Sequence, residues 1–116
     1  MKFEQIPQRP EKNIVVNESN KEALKKHLIK YEHRINKYNA DNMPVESQMD
    51  AICKKRILEH VLESGHMSTD DYWFLRQQLA ERYAGDFSAS AFDNAFQVIK
   101  DYAESGGENV MGGERV

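Results

Sequence analysis

Cysteine, proline and glycine are scarce in this chain, and long apolar runs are missing altogether. Its 116 residues hold one cysteine, three prolines and six glycines. A single cysteine, Cys53, excludes an internal disulfide and suits a reducing compartment. No segment approaches the ~20 apolar residues of a membrane span, and the start MKFEQIPQRPEK lacks the apolar run of a signal peptide. A soluble protein without a membrane partner is expected, with the cytoplasm of a cell or an infected cell as its compartment. Four of the six glycines fall in the tail SGGENVMGGERV. No glycine-rich phosphate loop follows a strand, and no nucleophile signature occurs.

What is present is charge, at 30% of residues beside 40% hydrophobic residues, the balance of one soluble globular domain. The formal net charge of −3 conceals an asymmetry. Residues 1–60 carry twelve Lys/Arg against nine Asp/Glu, whereas residues 61–116 carry four against ten. A basic first half and an acidic second half argue against a uniform polyanion-binding surface.

Periodicity and end signals predict an all-α fold of four helices. Residues 1–18 read as an extended arm, because Pro7 and Pro10 interrupt any helix. Within the arm, Ile14-Val15-Val16 is an apolar run fit to pair as an edge strand or to tuck against the body. Residues 19–104 read as the helical domain. Ser19 with Glu22 has the spacing of a capping box, so the first helix is expected to start at Ser19. Leu24, Leu28, Tyr31, Ile35 and Tyr38 then form one narrow apolar stripe. That stripe needs one partner helix, from a second copy as a dimer seam or from this chain's own body.

A second helix is expected from Pro44 to Ser64, closed by Gly65. Val45, Met49, Ile52, Cys53, Ile57 and Val61 make its main buried face, widened by Leu58 and Leu62. A third begins at Ser68, with Asp70 and Asp71 in its first turn, and ends at Gly85. A fourth begins near Ser88, with Phe92, Ala95, Phe96, Ile99, Tyr102 and Ala103 on one side. Residues 105–116 read as a flexible tail or a rudimentary wing, with Asn109-Val110-Met111 as a short strand in the latter case.

From Arg56 onward the chain resembles the amino-terminal DNA-binding module of ferric-uptake-type regulators, and winged helix-turn-helix domains more broadly. The matching elements are Ile57-Leu58, Val61-Leu62, Gly65, Met67-Ser68, Leu75, Leu79, Gly85, Ser88, and Ala91-Phe92 through Val98-Ile99 to Gly106. The resemblance covers about half the chain and implies that the last three helices form a winged-helix-like unit. It also implies that the helix starting at Ser88 enters the major groove. Where that family places a tyrosine and an arginine to hold DNA, this sequence has Asp93 and Asn94. The family's histidine- and cysteine-rich metal sites have no counterpart here.

Two groups of residues are candidate binding sites. Trp73 and Phe74, after Asp70 and Asp71, form a candidate protein-binding hot spot, since aromatic anchors dominate interfaces. Lys26, Lys30, Arg34 and Lys37, with Lys54, Lys55 and Arg56, are the candidate phosphate-binding residues, and Asn94 and Gln97 the candidate base readers. His27 with His33, and Cys53 with His60, have spacings that do not chelate one metal ion unaided. Glu46 with Asp50, and Glu59 with Glu63, are carboxylate pairs routine on solvated helices, so neither enzymatic chemistry nor a cofactor is expected. The reading that results is a small non-enzymatic protein that binds a partner protein, of a size and style that fit an accessory or inhibitor protein of a phage or mobile element. The alternative is a dimeric winged-helix DNA-binding regulator.

Overall fold

The computed structural model describes residues 12–105. The fold is all-α, with four helices and one short two-stranded sheet. The element order is β1 (Ile14–Val15), α1 (Lys21–Ala40), α2 (Val45–Ser64), β2 (His66–Met67), α3 (Thr69–Arg82) and α4 (Ala89–Glu104). The expected strand Asn109-Val110-Met111 and the wing lie outside the described residues.

α1 and α2 form an antiparallel hairpin around a short turn. Gln48, buried despite its polarity, fastens that turn by donating from Nε2 to Asn39 Oδ1 at 3.0 Å and to the Met43 carbonyl at 2.9 Å. Asn42 supplies the positive φ of 60° that the turn requires, a conformation asparagine tolerates better than most residues. Pro44 is the N-cap of α2 rather than a residue of its first turn. At the far end Gly65 closes α2 with φ +84°, and its amide donates to the Val61 carbonyl at 2.8 Å.

Helix α2 is the centre of the molecule, packed against both α1 and α4. Met49, Ala51, Cys53, Ile57, Leu58 and Val61 are buried along it, whereas Ile52 and Leu62 are half-buried and Val45 is exposed. Burial first, and Asp50 second, push the Cys53 thiol up to about 12. From α1, Leu24 and Tyr31 are buried, and Leu28, Ile35 and Tyr38 pack against the same core. The apolar stripe of α1 is therefore used inside this chain. Of the two partners the sequence leaves open for this stripe, the chain's own body, chiefly α2, covers it here.

From Lys12 onward the arm is attached to the body of the domain. β1 pairs antiparallel with β2, Ile14 opposite Met67 and Val15 opposite His66. Lys12 continues the attachment, its amide donating to Thr69 Oγ1 at 2.8 Å. The α1 start also differs from expectation. Asn17 Oδ1 accepts from the Ser19 and Asn20 amides and from the Ser19 hydroxyl, so an asparagine turn occupies Ser19. The N-cap is Asn20, one residue past Ser19, so the helix begins at Lys21 and no Ser19–Glu22 box forms.

Asn20 is buried at 1% exposure and uses its whole amide group. Nδ2 donates to the Val15 carbonyl and to the Ala103 carbonyl, both at 3.0 Å, while Oδ1 accepts from the Asn17 amide at 2.8 Å. One side chain thus joins β1, the α1 start and the last turn of α4. Asn20→Ala strands buried carbonyls and is expected to cost about 2 kcal/mol. Asn20→Asp, which turns an acceptor toward those carbonyls, should cost more at neutral pH. Urea denaturation of both variants checks the order.

Candidate functional site

Helix α3 has a conventional start and a less covered end. Ser68 and Asp71 form a capping box, with Ser68 N donating to Asp71 Oδ2 at 3.0 Å and Asp71 N donating to Ser68 Oγ at 3.2 Å. Tyr72 is buried against Phe92 and Phe96 of α4, at ring separations of 5.1 and 5.0 Å, and its hydroxyl donates to Asp93. Arg76 lies 3.9 Å from the same carboxylate. These contacts secure the first half of α3 to the start of α4. Further along, α3 leaves an open groove of about 860 Å³ against the α1–α2 hairpin. Ile35, Val45, Ile52, Leu79 and Tyr83 supply its apolar surface, with Lys55, Arg56 and Glu59 along one rim and Glu81 and Arg82 along the other.

The expected hot spot divides into working and available residues. Asp71 is consumed by the capping box and by His60 and His66, whose Nε2 atoms lie 3.4 and 3.9 Å from its Oδ2. Trp73 is half-buried against the core, edge-on to Tyr72 at 4.9 Å and with the Arg76 guanidinium 5.0 Å from its ring centroid. Asp70 is exposed, and Phe74 is 62% exposed. Phe74 stands one turn before Gln78, which lines the groove, so the two share a face of α3.

The basic residues also separate. Lys30, Arg34 and Lys54 gather around the Tyr31 ring. Lys55 and Arg56 instead sit 2.7 and 3.9 Å from Glu59 in the groove rim. Lys37 pairs with Asp41 at 3.5 Å, and Lys26 is exposed. On α4, Asn94 is exposed, Gln97 donates to Asp101 at 3.0 Å, and Lys100 pairs with Glu104. The groove itself had no sequence signal beyond the half-buried apolar residues that line it, because it depends on where α3 settles against the hairpin.

Among the described residues no group of three or more His, Cys, Asp or Glu side chains is placed to hold a metal ion, and no helix is long and apolar enough to cross a membrane. Comparison with known protein families, curated proteins and solved structures finds no match to this chain.

The capping box makes a pH prediction. The Ser68 amide, aided by the Ser68 hydroxyl and His60, holds the Asp71 carboxyl below its ordinary 3.8 against the opposing effect of burial. A depressed folded value contributes stability that is complete above 3.8 and is lost as pH falls through the folded value. Asp71→Asn should therefore lower stability at neutral pH and flatten the acid limb of a stability–pH curve, read from urea midpoints.

Proposed function

We propose that this protein is a small non-enzymatic binding protein whose activity is protein–protein contact through the groove between the α1–α2 hairpin and α3. The observation that carries the reading is the groove itself, an apolar strip among polar and charged side chains of both signs, continued along α3 by the exposed Phe74. Its composition suits an amphipathic helix of a partner protein. Apolar side chains at helical spacing would enter between Ile52 and Leu79, and the flanking charges would meet Lys55, Arg56, Glu81 and Arg82. Rims of mixed sign would fix the orientation of such a helix more than its affinity.

The alternative, a dimeric winged-helix regulator, draws support from the gathering of Lys30, Arg34 and Lys54. Two placements weigh against it. Asp93, near the start of the would-be recognition helix, is set against α3. The α1 cations lie instead beside Tyr102 at the other end of α4, about 12 Å along the helix from Asn94. A duplex held in the usual way would meet a carboxylate where it needs a cation.

Affinity capture with quantitative binding tests the reading. Phe74→Asp and Val45→Asp change exposed positions and should leave the melting curve almost unmoved. Each is expected to weaken capture of the specific partner by about tenfold or more. A partner held equally by wild type and both variants would move the contact elsewhere. Salt-sensitive binding of duplex DNA without any protein partner would favour the regulator.

A further inference from the structure

A second site lies away from the groove and does not depend on it. The Lys30 ammonium, the Arg34 guanidinium and the Lys54 ammonium lie 5.3, 5.2 and 5.3 Å from the centroid of one ring, that of Tyr31. Tyr31 is 2% exposed, and its hydroxyl is 3.5 Å from the Tyr102 hydroxyl. Tyr102 in turn stacks on His27 with centroids 3.8 Å apart and planes 5° from parallel. Three helices therefore contribute to one spot. The charges there do not balance. Asp50 approaches Lys54 at 2.9 Å, but among the described residues no carboxylate lies within ion-pair distance of Lys30 or Arg34. Burial first, then Arg34 and Lys54, hold the Lys30 ammonium below its usual range, a sign that its cationic neighbours are felt. Like charges converging on one buried ring are stabilised by an anion that neutralises them together.

We propose that Lys30, Arg34 and Lys54, with the Tyr31–Tyr102 hydroxyl pair, form a binding site for a compact oxyanion, namely the phosphate or diphosphate group of a small phosphorylated ligand. The arginine offers a planar fork to two phosphate oxygens, and the lysines serve as point charges. One tyrosine hydroxyl donates to the other, which leaves one O–H to donate outward. Burial, followed by the hydrogen bond to Tyr31, pushes the Tyr102 hydroxyl up to about 12, so Tyr102 stays protonated in this pair at neutral pH. Asp50, half exposed, covers Lys54 until the ligand displaces it.

The convergence on one point favours a small ligand over a nucleic-acid chain. A polymer carries regularly spaced charge and needs cations along a track. The residues that would extend the track are partly offset, Lys37 by Asp41 and Lys55 by Glu59, which Arg56 shares at 3.9 Å. Only Lys26 continues it on α1.

The test is titration of the full chain with sodium pyrophosphate at constant ionic strength, followed by backbone-amide NMR, with sodium phosphate in a parallel arm. Saturable shifts are expected around His27–Arg34, Lys54 and Tyr102. Tighter binding of pyrophosphate would assign the diphosphate group, and equal binding a single phosphate. Arg34→Gln/Lys54→Gln should weaken binding about tenfold or more, and Lys25→Gln should leave it unchanged. Asp50→Asn, which removes the competing carboxylate and keeps every cation, should tighten binding several-fold. Absence of saturable shifts overturns the site, as does an Asp50→Asn variant that binds no tighter than wild type. So does a mixed-sequence DNA duplex that binds more tightly than pyrophosphate and is weakened as much by Lys26→Gln as by Arg34→Gln. Should the double variant fail to fold, Asp50→Asn alone decides.

Discussion

The carboxamide of Asn20 is the constraint on which the arrangement of the chain depends. It holds the Val15 carbonyl on one side and the Ala103 carbonyl on the other, and it is itself held by the Asn17 amide. A buried carboxamide has two donors and an acceptor, and all three functions are used, so little freedom remains in how β1, α1 and α4 meet. Fixing the α1 start at Lys21 fixes the azimuth of everything after it. Leu24 and Tyr31 then turn inward, and His27 falls against Tyr102.

Helix α3 is governed differently. Its first turn is tied down by the Ser68–Asp71 box, by Thr69 to Lys12, and by Tyr72 between Phe92 and Phe96. Its last turns have Leu79 and Tyr83 facing the hairpin across space that no other side chain among the described residues fills. A helix anchored at one end and less covered at the other leaves a concave surface. Loss of packing there costs stability.

Much of this architecture was legible in the residues. Gly65, Ser68 and Ser88 act as end signals because capping is a local matter of a few backbone groups, and each stands where the helix changes. Phe92 through Ala103 bury the face that their spacing indicates. The α1 start was misplaced for an equally local reason. Ser19 and Glu22 carry the right spacing, but Asn17 offers the Ser19 and Asn20 amides a competing acceptor two and three residues away. β2 was hidden because two residues, His66 and Met67, give no alternation to read, and their partner lies about fifty residues earlier. Of the candidate anchors, Phe74 is at the surface while Asp71 and Trp73 are engaged in holding α3, a division that depends on contacts from α2 and from α3 itself.

Charge was the least predictable quantity, and the reason is physical. The two halves of the chain differ in net charge, yet several of these charges are paired one helical turn away. Lys25 pairs with Glu22, Lys37 with Asp41, Lys55 with Glu59 and Lys100 with Glu104. Exposed pairs of this kind contribute little to stability, but they cancel the field that a count of residues implies. What survives is set by tertiary contact. Lys54, adjacent in sequence to Lys55, turns instead toward Tyr31, where Lys30 and Arg34 already stand. One residue of helical rotation thus separates a cation absorbed into a groove rim from one that completes a cluster with excess positive charge. Net charge per half-chain carries no information about that difference, whereas the azimuth of α2 around its own axis determines it. That azimuth is fixed by the buried face from Met49 to Val61, so the core of this protein decides where its surface is charged.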